Sequence, residues 1–377
     1  MTPAPATHIL GIETSCDETA AAVVADGRQV LSNVVASQHE LHAPYRGVVP
    51  EIASRAHVER IEPVVRQALA DAGLAAADLD AVAVGNRPGL IGSLLVGVSA
   101  AQALAWALGR PLIGVDHVHA HLHAANLTAP PTSAVAAPAD AGPERVPPTT
   151  STTSPALGLV VSGGHTSLYL IHSPTNLQPL GRTIDDAVGE AYDKAAVILD
   201  AGYPGGPRLD ALAQRGDPGA HKLPRSMLEP DSLDFSFSGL KTALLYAVRG
   251  HPVGRGRDAR FPRAAADLTD PQRADFAAAF QLAVVDVLIA KIERALDLLA
   301  QQATPVQHLV AGGGVTANSL LRHRLHQLGD ARSLRVDIPH LAYCLDNAAM
   351  IAGLAHARFA AGEADTLDLP ALPTTTT

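Results

Sequence analysis

Hydrophobic runs alternate with short polar turns in two similar stretches of the chain. Residues 8–37 contain three apolar runs, which are separated by the polar turn TSCDET and by a DG turn. Residues 156–184 repeat this arrangement, with the turn SGGHT and a polar loop between their three runs. Each stretch therefore predicts three consecutive strands joined by hairpin turns.

A helical pattern and a further short apolar strand follow each of these stretches. Residues 51–74 and 276–302 are the helical segments, and they lead to LDAVAVGN and VQHLVAGGG respectively. Strands that alternate with helices indicate an α/β fold, in which helical layers cover a sheet. Because the same order occurs twice, we expect two related α/β domains that face each other across a cleft.

One uncharged stretch, residues 89–109, is long enough to cross a bilayer. Ser93, Ser99 and Gln102 interrupt it, and neither an aromatic belt nor a lysine cluster flanks it. We therefore interpret it as a helix buried between a sheet and its neighbours rather than as a membrane span.

Composition supports a two-domain protein of the cytoplasm. The chain has 377 residues, of which 47% are hydrophobic and only 3% aromatic, so alanine and leucine must supply most of the core. Two cysteines give no disulfide framework, and the N-terminus lacks the pattern of a signal peptide. The formal net charge of −9 provides no overall basic field for nucleic acid. Residues 128–155, rich in Ala, Pro, Thr and Ser, predict a flexible insertion.

Glycine-rich turns that follow predicted strands are candidate nucleotide-binding sites. SGGHT (162–166) follows a strand, and VAGGGVTANSLL (310–321) follows another strand and opens a helix with Asn318 in its first turn. Free backbone amides in such turns bind anions, although the Walker A pattern is absent. A plain tight turn explains each run equally well when it is taken singly. The two together, with YPGGPRLD (203–210), favour nucleotide binding.

Four histidines at alternate positions raise the question of a metal site. The segment IGVDHVHAHLHAANL carries His117, His119, His121 and His123. In a strand all four would share one face, whereas in a helix they would form two pairs, 117 with 121 and 119 with 123. The residues alone leave both alternatives open, and an incidental set of helix histidines is as plausible as a metal site.

At this point the motifs resemble the TsaD family, the tRNA adenosine threonylcarbamoyltransferases. The resemblance runs from about Ile9 to about Phe359 and rests on LGIETSCDET, SQHELHAPYRGVVPEIASRAH, LVVSGGHTSL, IDDAVGEAYDKAA, YPGGP, DFSFSGLKTALL, VAGGGVTANSLLR and CLDNAAMIA. It implies transfer of the threonylcarbamoyl group from threonylcarbamoyl-AMP to the exocyclic amine of the adenosine 3′ of the anticodon. The tRNAs concerned read codons that begin with A, and AMP is released.

The resemblance also implies a fold and its division along the chain. The expected fold is α/β, with two duplicated ribonuclease H-like domains of the actin/sugar-kinase superfamily facing a central cleft. Residues 1–127 would form the first domain, completed by a C-terminal helix at 346–361, and residues 156–345 the second. By their own composition, residues 128–155 are expected to be a flexible insertion and 362–377 a disordered tail.

The family's site residues are carried over position by position. The resemblance implies one divalent metal ion per subunit on His117, His121 and Asp346, which selects the helical alternative; iron is favoured over zinc. His119 and His123 would then face solvent or support the ligands. The implied substrate-binding positions are Val160, Val161, Ser162, Gly163, Gly164, Asp193, Gly206, Asp210 and Asn318.

Catalysis is expected to involve Asp17 and Glu18 of SCDET. These carboxylates would position or deprotonate the incoming amine, although a turn-stabilising role for them is equally consistent with the sequence. The sequence GNRPGL, with Asn86 and Arg87, departs from the family's usual small residues. The basic stretch 248–263, with five arginines, is either an RNA contact or a solvated loop.

The resemblance implies partners and leaves two rival functions. The expected partners are tRNA, threonylcarbamoyl-AMP, a smaller paralogue of the same fold (TsaB-like), a P-loop ATPase (TsaE-like) and an upstream threonylcarbamoyl-AMP synthase, with no membrane. A noncatalytic nucleotide-binding subunit would lack the metal ligands, which are present here. A metalloprotease would carry HExxH, which is absent.

Overall fold

The computed structural model describes residues 5–45, 47–129, 155–227, 229–254 and 260–374. Within these ranges the chain forms two five-stranded mixed sheets with helices on both faces. The strands are β1 His8–Glu13, β2 Glu18–Ala25, β3 Gln29–Ser37, β4 Ala81–Arg87, β5 Leu112–Asp116, β6 Ala156–Val161, β7 Thr166–Ser173, β8 Asn176–Arg182, β9 His308–Gly312 and β10 Arg335–Asp337. The helices are α1 His39–His42, α2 Pro50–Ala72, α3 Ile91–Leu108, α4 His117–His123, α5 Val188–Leu199, α6 Gly205–Ala213, α7 Ser238–Arg249, α8 Asp270–Gln301, α9 Ser319–Arg332 and α10 Ala348–Ala360.

The two sheets have the same topology. The first has the order β3-β2-β1-β4-β5 and the second the order β10-β9-β6-β7-β8. In each, the first three strands form an antiparallel meander, and two later strands add in parallel beside the first strand of the meander. This confirms the expected duplicated α/β fold.

Helices cover both faces of the first sheet. Every residue of β2 is buried, because α2 packs on one face of the strand and α10 on the other. A strand covered on both faces is apolar throughout, as the segment AAAVVA is. Proline at the first position of α2 and the left-handed Gly73 after its end (φ 67°) set the limits of that helix.

The apolar helix α3 packs on the first sheet with one face only. Ser93, Leu94 and Gly97 are buried towards β4 and α2, whereas Leu95 and Trp106 are exposed. Among the described residues α3 is the one helix long and apolar enough to cross a membrane. The expectation that α3 packs on the sheet is met, but its outer face is uncovered rather than buried between layers.

The short helix α4 lies between the two sheets. Ala120 and Ala124 pack in the core formed by the first sheet and α10, while Val118 and Leu122 pack against β6 and β9 of the second sheet. At Gly312, an added Cβ would lie 2.1 Å from the carbonyl oxygen of His121, so only glycine permits this close approach. The helix that carries the histidines therefore touches both domains.

The end of the described chain differs from the expected disordered tail over 362–377. Asp365 accepts a hydrogen bond from the amide of Gly114 at 2.7 Å, and Leu369 packs into the core of the first sheet. The side-chain amide of Asn86 donates to the Pro370 carbonyl at 3.0 Å, and the Leu372 amide donates to the carbonyl of Asn86 at 2.9 Å. Prediction from the tail's own composition was wrong for 362–374, because its partners lie far away in sequence.

Two other expectations concern boundaries. The insertion at 128–155 falls largely on residues 130–154, which lie outside the described residues. Helix α10, preceded by its N-cap Asn347, packs on the first sheet, although it follows the second sheet in sequence. The exact domain limits inferred from the resemblance remain a prediction.

Candidate metal and substrate site

The histidine segment forms a helix rather than a strand. Strand β5 ends at Asp116, whose side chain accepts hydrogen bonds from the amides of Val118 at 2.9 Å and His119 at 3.3 Å and so caps α4. This start places His117 and His121 one turn apart, with ring centroids separated by 4.6 Å. The helical alternative is therefore correct.

Asp346 completes a cluster with these two imidazoles. Its Oδ1 lies 3.5 Å from Nε2 of His117 and 3.3 Å from Nε2 of His121. The carboxylate stands just before α10, whose N-cap Asn347 fixes the turn by accepting a bond from the Met350 amide. The ligand atoms of all three residues lie within 4.8 Å of one another, so the residues could hold a metal ion.

The donor chemistry of the cluster fits a metal. His121 is fully buried, yet neither of its ring nitrogens makes a hydrogen bond with a described residue. Buried polar atoms nearly always have a hydrogen-bond partner. A buried imidazole that faces a carboxylate without such a bond therefore indicates a metal ligand. Two imidazoles and one carboxylate suit iron or zinc and leave coordination positions for substrate oxygens.

Glu13, which the sequence analysis did not single out, supports the first ligand. Its Oε2 lies 3.0 Å from Nδ1 of His117, and Oγ of Ser15 lies 3.2 Å from the same nitrogen. The other carboxylate oxygen of Glu13, Oε1, accepts a hydrogen bond from the Ser15 amide at 2.5 Å, and Glu13 is fully buried. A carboxylate behind a histidine fixes the ring so that the opposite nitrogen faces the ion. The sequence feature that could have identified Glu13 was its position as an acidic residue at the end of an apolar strand.

The pKa values of the two histidines shift in opposite directions. Burial alone would lower the pKa of His117, but the Glu13 and Asp346 carboxylates outweigh it and raise that pKa well above the ordinary value. Burial lowers the pKa of His121. The imidazoles hold the pKa of Asp346 well below its ordinary value, although burial opposes them. Asp346 is therefore a carboxylate at neutral pH.

The remaining histidines of the segment have other partners. The ring of His119 is half-buried against Tyr169, with centroids 5.5 Å apart. His123 differs from the expectation of a solvent-facing or ligand-supporting residue, because its Nε2 lies 3.0 Å from the carbonyl oxygen of Gly27 in the β2–β3 turn. Burial lowers the pKa of His123 to about 4, so it is a neutral structural residue.

The glycine turn SGGHT lies beside the cluster. Burial and the nearby His117 and His121 lower the pKa of His165 to about 4, so this fifth imidazole is neutral next to the ligands. Added Cβ atoms at Gly163 and Gly164 would meet nothing within 4 Å, which leaves their backbone open to a ligand. The Ser162 hydroxyl accepts a bond from the His165 amide at 3.1 Å and shapes the turn.

Val160 and Val161, the strand residues before this turn, are fully buried in β6. Their side chains belong to the core, so only their backbone groups border the turn. Any contact of these two residues with substrate is therefore expected through the backbone rather than through the side chains.

Asp210 and Asn318 come together at the start of α9. Asn318 is the N-cap of the helix rather than a residue of its first turn, since its Oδ1 accepts from the Leu321 amide at 3.0 Å. Its Nδ2 donates to Asp210 Oδ1 at 3.1 Å and to Gln281 at 2.9 Å. Asp210 also accepts from the Ser319 hydroxyl at 2.8 Å. These bonds fix the GGG turn, and Gln281 was not foreseen.

Asp193 belongs to the YPGGP turn. Its Oδ1 accepts a bond from the Gly205 amide at 2.9 Å, and burial raises its pKa. An added Cβ at Gly206 would meet nothing within 4 Å, so this turn is also open. The ring of Tyr203 lies 5.9 Å from that of His39 on α1, so this second-domain turn meets the first domain there.

Asp17 and Glu18 are buried at the β1–β2 turn, with 7% and 8% exposure. Burial and the neighbouring Asp17 raise the pKa of Glu18 to about 9, with a further contribution from Asp346. Glu18 also lies 3.3 Å from Nε2 of His39 in α1. Both predicted catalytic carboxylates thus stand near the metal cluster.

Comparison with known proteins agrees with this arrangement. The family model described as TsaD, tRNA N6-adenosine threonylcarbamoyltransferase, matches residues 29–147 and 144–353. The tRNA N6-adenosine threonylcarbamoyltransferase of Trichlorobacter lovleyi is 48% identical over 97% of this chain and 96% of its own length. That of Symbiobacterium thermophilum is 48% identical over 97% and 95%.

A solved structure shares the fold at low identity. The crystal structure of T. kodakarensis HypF has a TM-score of 0.54 at 14% identity, over 95% of this chain and 48% of the other. The two transferases match this chain at 48% identity over 97% of its length, which establishes the family. This chain belongs to the TsaD family, the tRNA N6-adenosine threonylcarbamoyltransferases.

Proposed function

We propose that the protein transfers the threonylcarbamoyl group of threonylcarbamoyl-AMP to the exocyclic amine of the adenosine 3′ of the anticodon. The acceptors are tRNAs that read codons beginning with A. The observation that carries this proposal is the meeting of His117, His121 and Asp346 beside the open SGGHT turn, in a chain of this family. Such a site combines a Lewis acid with a cradle for a nucleotide.

The cradle consists of the three glycine turns SGGHT, YPGGP and GGG with two carboxylates. The open backbone at Gly163 and Gly164 offers amides to the adenylate phosphate. Asp193, which holds the open YPGGP turn through the Gly205 amide, would accept ribose hydroxyls. Asp210 and Asn318 keep the third turn in place through their mutual hydrogen bond and so shape the wall for the nucleoside.

Transfer forms one bond and breaks one. The adenosine amine attacks the carbamate carbonyl carbon, the bond from that carbon to the phosphate oxygen breaks, and AMP leaves as an anion. A metal on the two histidines and Asp346 would supply charge stabilisation for the carbonyl or phosphate oxygen, and we propose iron for this ion. The amine loses a proton, which Asp17 accepts, while Glu18, itself protonated at neutral pH, orients the amine. Glu13 holds the His117 ring throughout.

Protein partners are part of the proposal. The face of α3 that carries Ile91, Leu95 and Trp106 is apolar and exposed, with Trp106 at 74% exposure. An apolar helix face of this kind supports association with another protein. We assign it to the smaller paralogue, and the P-loop ATPase and the adenylate synthase complete the pathway. Both cysteines are free, which suits a cytoplasmic location.

For tRNA contact the basic stretch 248–263 is a candidate, with a solvated loop as the alternative. Arg249, Arg260 and Arg263 belong to its described part, whereas Arg255 and Arg257 lie outside the described residues. Arg263 donates a hydrogen bond to the Ala247 carbonyl, which ties the stretch to α7.

The geometry disfavours a metalloprotease. In that class a glutamate beside the metal acts as general base, but Glu13 stands behind His117, on the nitrogen that faces away from the ion. A noncatalytic subunit is also disfavoured, since all three ligands are present and meet.

The test is a reconstituted reaction. Protein and partners are incubated with threonine, bicarbonate, ATP and unmodified tRNA, and the digested nucleosides are analysed by mass. Threonylcarbamoyladenosine is expected with the unaltered protein and is lost with Asp346→Asn. Its absence with demonstrably active partners would reject the proposal.

A further inference from the structure

A cationic surface lies on the second domain, beside the first half of α9. The N-cap of this helix, Asn318, belongs to the GGG turn, so the first turns of α9 stand next to the proposed wall for the nucleoside. Segments 215–225 and 319–326 border the surface, and together they contain five Lys or Arg residues and a single Asp. This local excess of positive charge contrasts with the formal net charge of −9 for the whole chain.

Two contacts hold one side of the cationic surface, segment 215–225, against the helices. The side-chain amide of Gln214, just before the segment, donates to the Ser319 hydroxyl at the start of α9, at 3.3 Å. The ring of His221 stacks on that of Phe276 in α8, with centroids 3.7 Å apart and planes 3° from parallel. The segment is therefore fixed beside α8 and α9.

Asp286 on α8 joins the two sides of the surface. Its Oδ2 accepts hydrogen bonds from Nε and Nη2 of Arg225 at 3.1 and 2.8 Å, and its Oδ1 accepts one from Nη1 of Arg324 at 3.2 Å. One carboxylate thus orders two guanidinium groups and neutralises only one of them. Nε and Nη2 of Arg324 make no hydrogen bond with a described residue. An ordered guanidinium with donors to spare binds a phosphate at a reduced entropic cost.

Two further cations of the surface have no acidic partner. Arg215 and Lys222 are exposed, and neither makes an ion pair with any residue that the structure describes. The last turn of α9 differs, because Arg332 there lies 2.7 Å from Asp297 and 3.9 Å from Glu293. The excess of positive charge therefore lies at the end of the helix that faces the cleft.

We infer that the cationic surface binds backbone phosphates of the substrate tRNA, through Arg215, Lys222, Arg225 and Arg324. Arg324 lies six residues beyond Asn318, or about 9 Å along the helix axis, so an RNA that reaches the GGG turn also passes over it. Phosphate contacts position an RNA without reading its sequence, which leaves the choice of adenosine to the cleft. The identity of the polyanion rests on the proposed function.

The test is the salt dependence of tRNA binding by the full chain together with its partners. Filter binding of unmodified tRNA is measured from about 50 to 200 mM KCl, without the adenylate. Each lost phosphate contact lowers the magnitude of the slope of log K against log salt by about 0.7–0.9. Lys222→Gln and Arg324→Gln are each expected to show this decrease and to bind about five- to tenfold more weakly near 0.1 M salt. Arg332→Gln, at the far end of the same helix, should keep the slope.

Asp286→Asn separates phosphate binding from a structural role. This variant and Arg324→Gln break the same ion pair, but Asp286→Asn removes a negative charge, so it should bind tRNA at least as tightly as the unaltered protein. Equal weakening in both variants would indicate a structural clamp, and unchanged slopes in Lys222→Gln and Arg324→Gln would indicate a solvated surface. Either result would overturn the inference.

Thermal unfolding verifies that each variant is folded. Binding is measured without transfer, whereas the mass assay for threonylcarbamoyladenosine tests the proposed function. The two proposals therefore fail separately.

Discussion

Nδ1 of His117 lies 3.0 Å from Oε2 of Glu13, and this contact joins the first strand of the chain to the helix that carries the metal ligands. The two residues are 104 positions apart and both are buried. The hydrogen bond leaves Nε2 of His117 free to face Asp346. Glu13 therefore orients His117 as a ligand for the proposed ion.

Glu13→Gln is expected to weaken metal binding by about tenfold, because the amide oxygen still accepts from Nδ1 but the negative charge is lost. Metal affinity is measured by competition with a chromogenic chelator. Ser15→Ala is the matched variant, since it removes the other partner of the same nitrogen without a change of charge. An affinity in Glu13→Gln equal to that of the unaltered protein would contradict the supporting role.

His121→Ala is expected to abolish binding at the imidazole site and to lower transfer by at least about 100-fold. Apart from its 3.3 Å contact with Asp346, a fellow member of the cluster, His121 has no hydrogen-bond partner among the described residues, so the effect reports on the cluster. His119→Ala serves as the control on the same helix, where the ring contacts Tyr169. Elemental analysis of the purified variants gives the metal content. Full metal content in His121→Ala would remove this residue from the ligand set.

Glu18→Gln is expected to make the metal-free protein more stable at alkaline pH. Glu18 keeps its proton in the folded state up to about pH 9, whereas the unfolded chain loses it near the ordinary value. Between these values the unfolded state binds fewer protons, so the stability of the unaltered protein falls as pH rises. We expect an advantage for Glu18→Gln that grows from near zero at pH 5 to about 2 kcal/mol at pH 8.

Urea unfolding at a series of pH values measures this difference, with chelator present throughout. Glu62→Gln, an exposed acid on α2, provides the control and should show no such trend. Parallel pH profiles for Glu18→Gln and unaltered protein would indicate that Glu18 is ionised in the fold.

Gly312→Ala is expected to destabilise the protein by about 3 kcal/mol, because its Cβ would collide with the His121 carbonyl and push α4 off the second sheet. Metal affinity should fall with it. Gly163→Ala is the control, since its Cβ meets open space, and thermal unfolding should be unchanged. Equal melting temperatures for the two variants would show that α4 does not depend on this contact.

Asn86→Ala is expected to loosen the C-terminal segment and to cost about 1–2 kcal/mol. The variant loses the side-chain bond to Pro370, and limited proteolysis should then cut near residues 366–372. Asp368→Ala, an exposed change in the same segment, is the comparison. Protection equal to that of the unaltered chain would mean that Leu369 packing alone holds the segment.

Strand and helix patterns predicted the duplicated fold, since β1–β3 and β6–β8 depend on local alternation and turn chemistry. The ligand set required the family resemblance, because no pattern links Asp346 to a helix more than 200 positions earlier. Glu13 and Gln281 were missed for the same reason: each is defined by a contact distant in sequence. His123 and the tail were misjudged because their partners, Gly27 and Asn86, lie in other elements.

The path of the chain through the two sheets has a consequence for biosynthesis. The second sheet comes from one continuous stretch, 156–337, whereas the first sheet needs α10 and the segment around Leu369 to cover it. During translation the second sheet can complete its core while the first sheet is still uncovered on the ribosome. The cluster of His117, His121 and Asp346, which needs Asp346, is therefore among the last parts of the molecule to form.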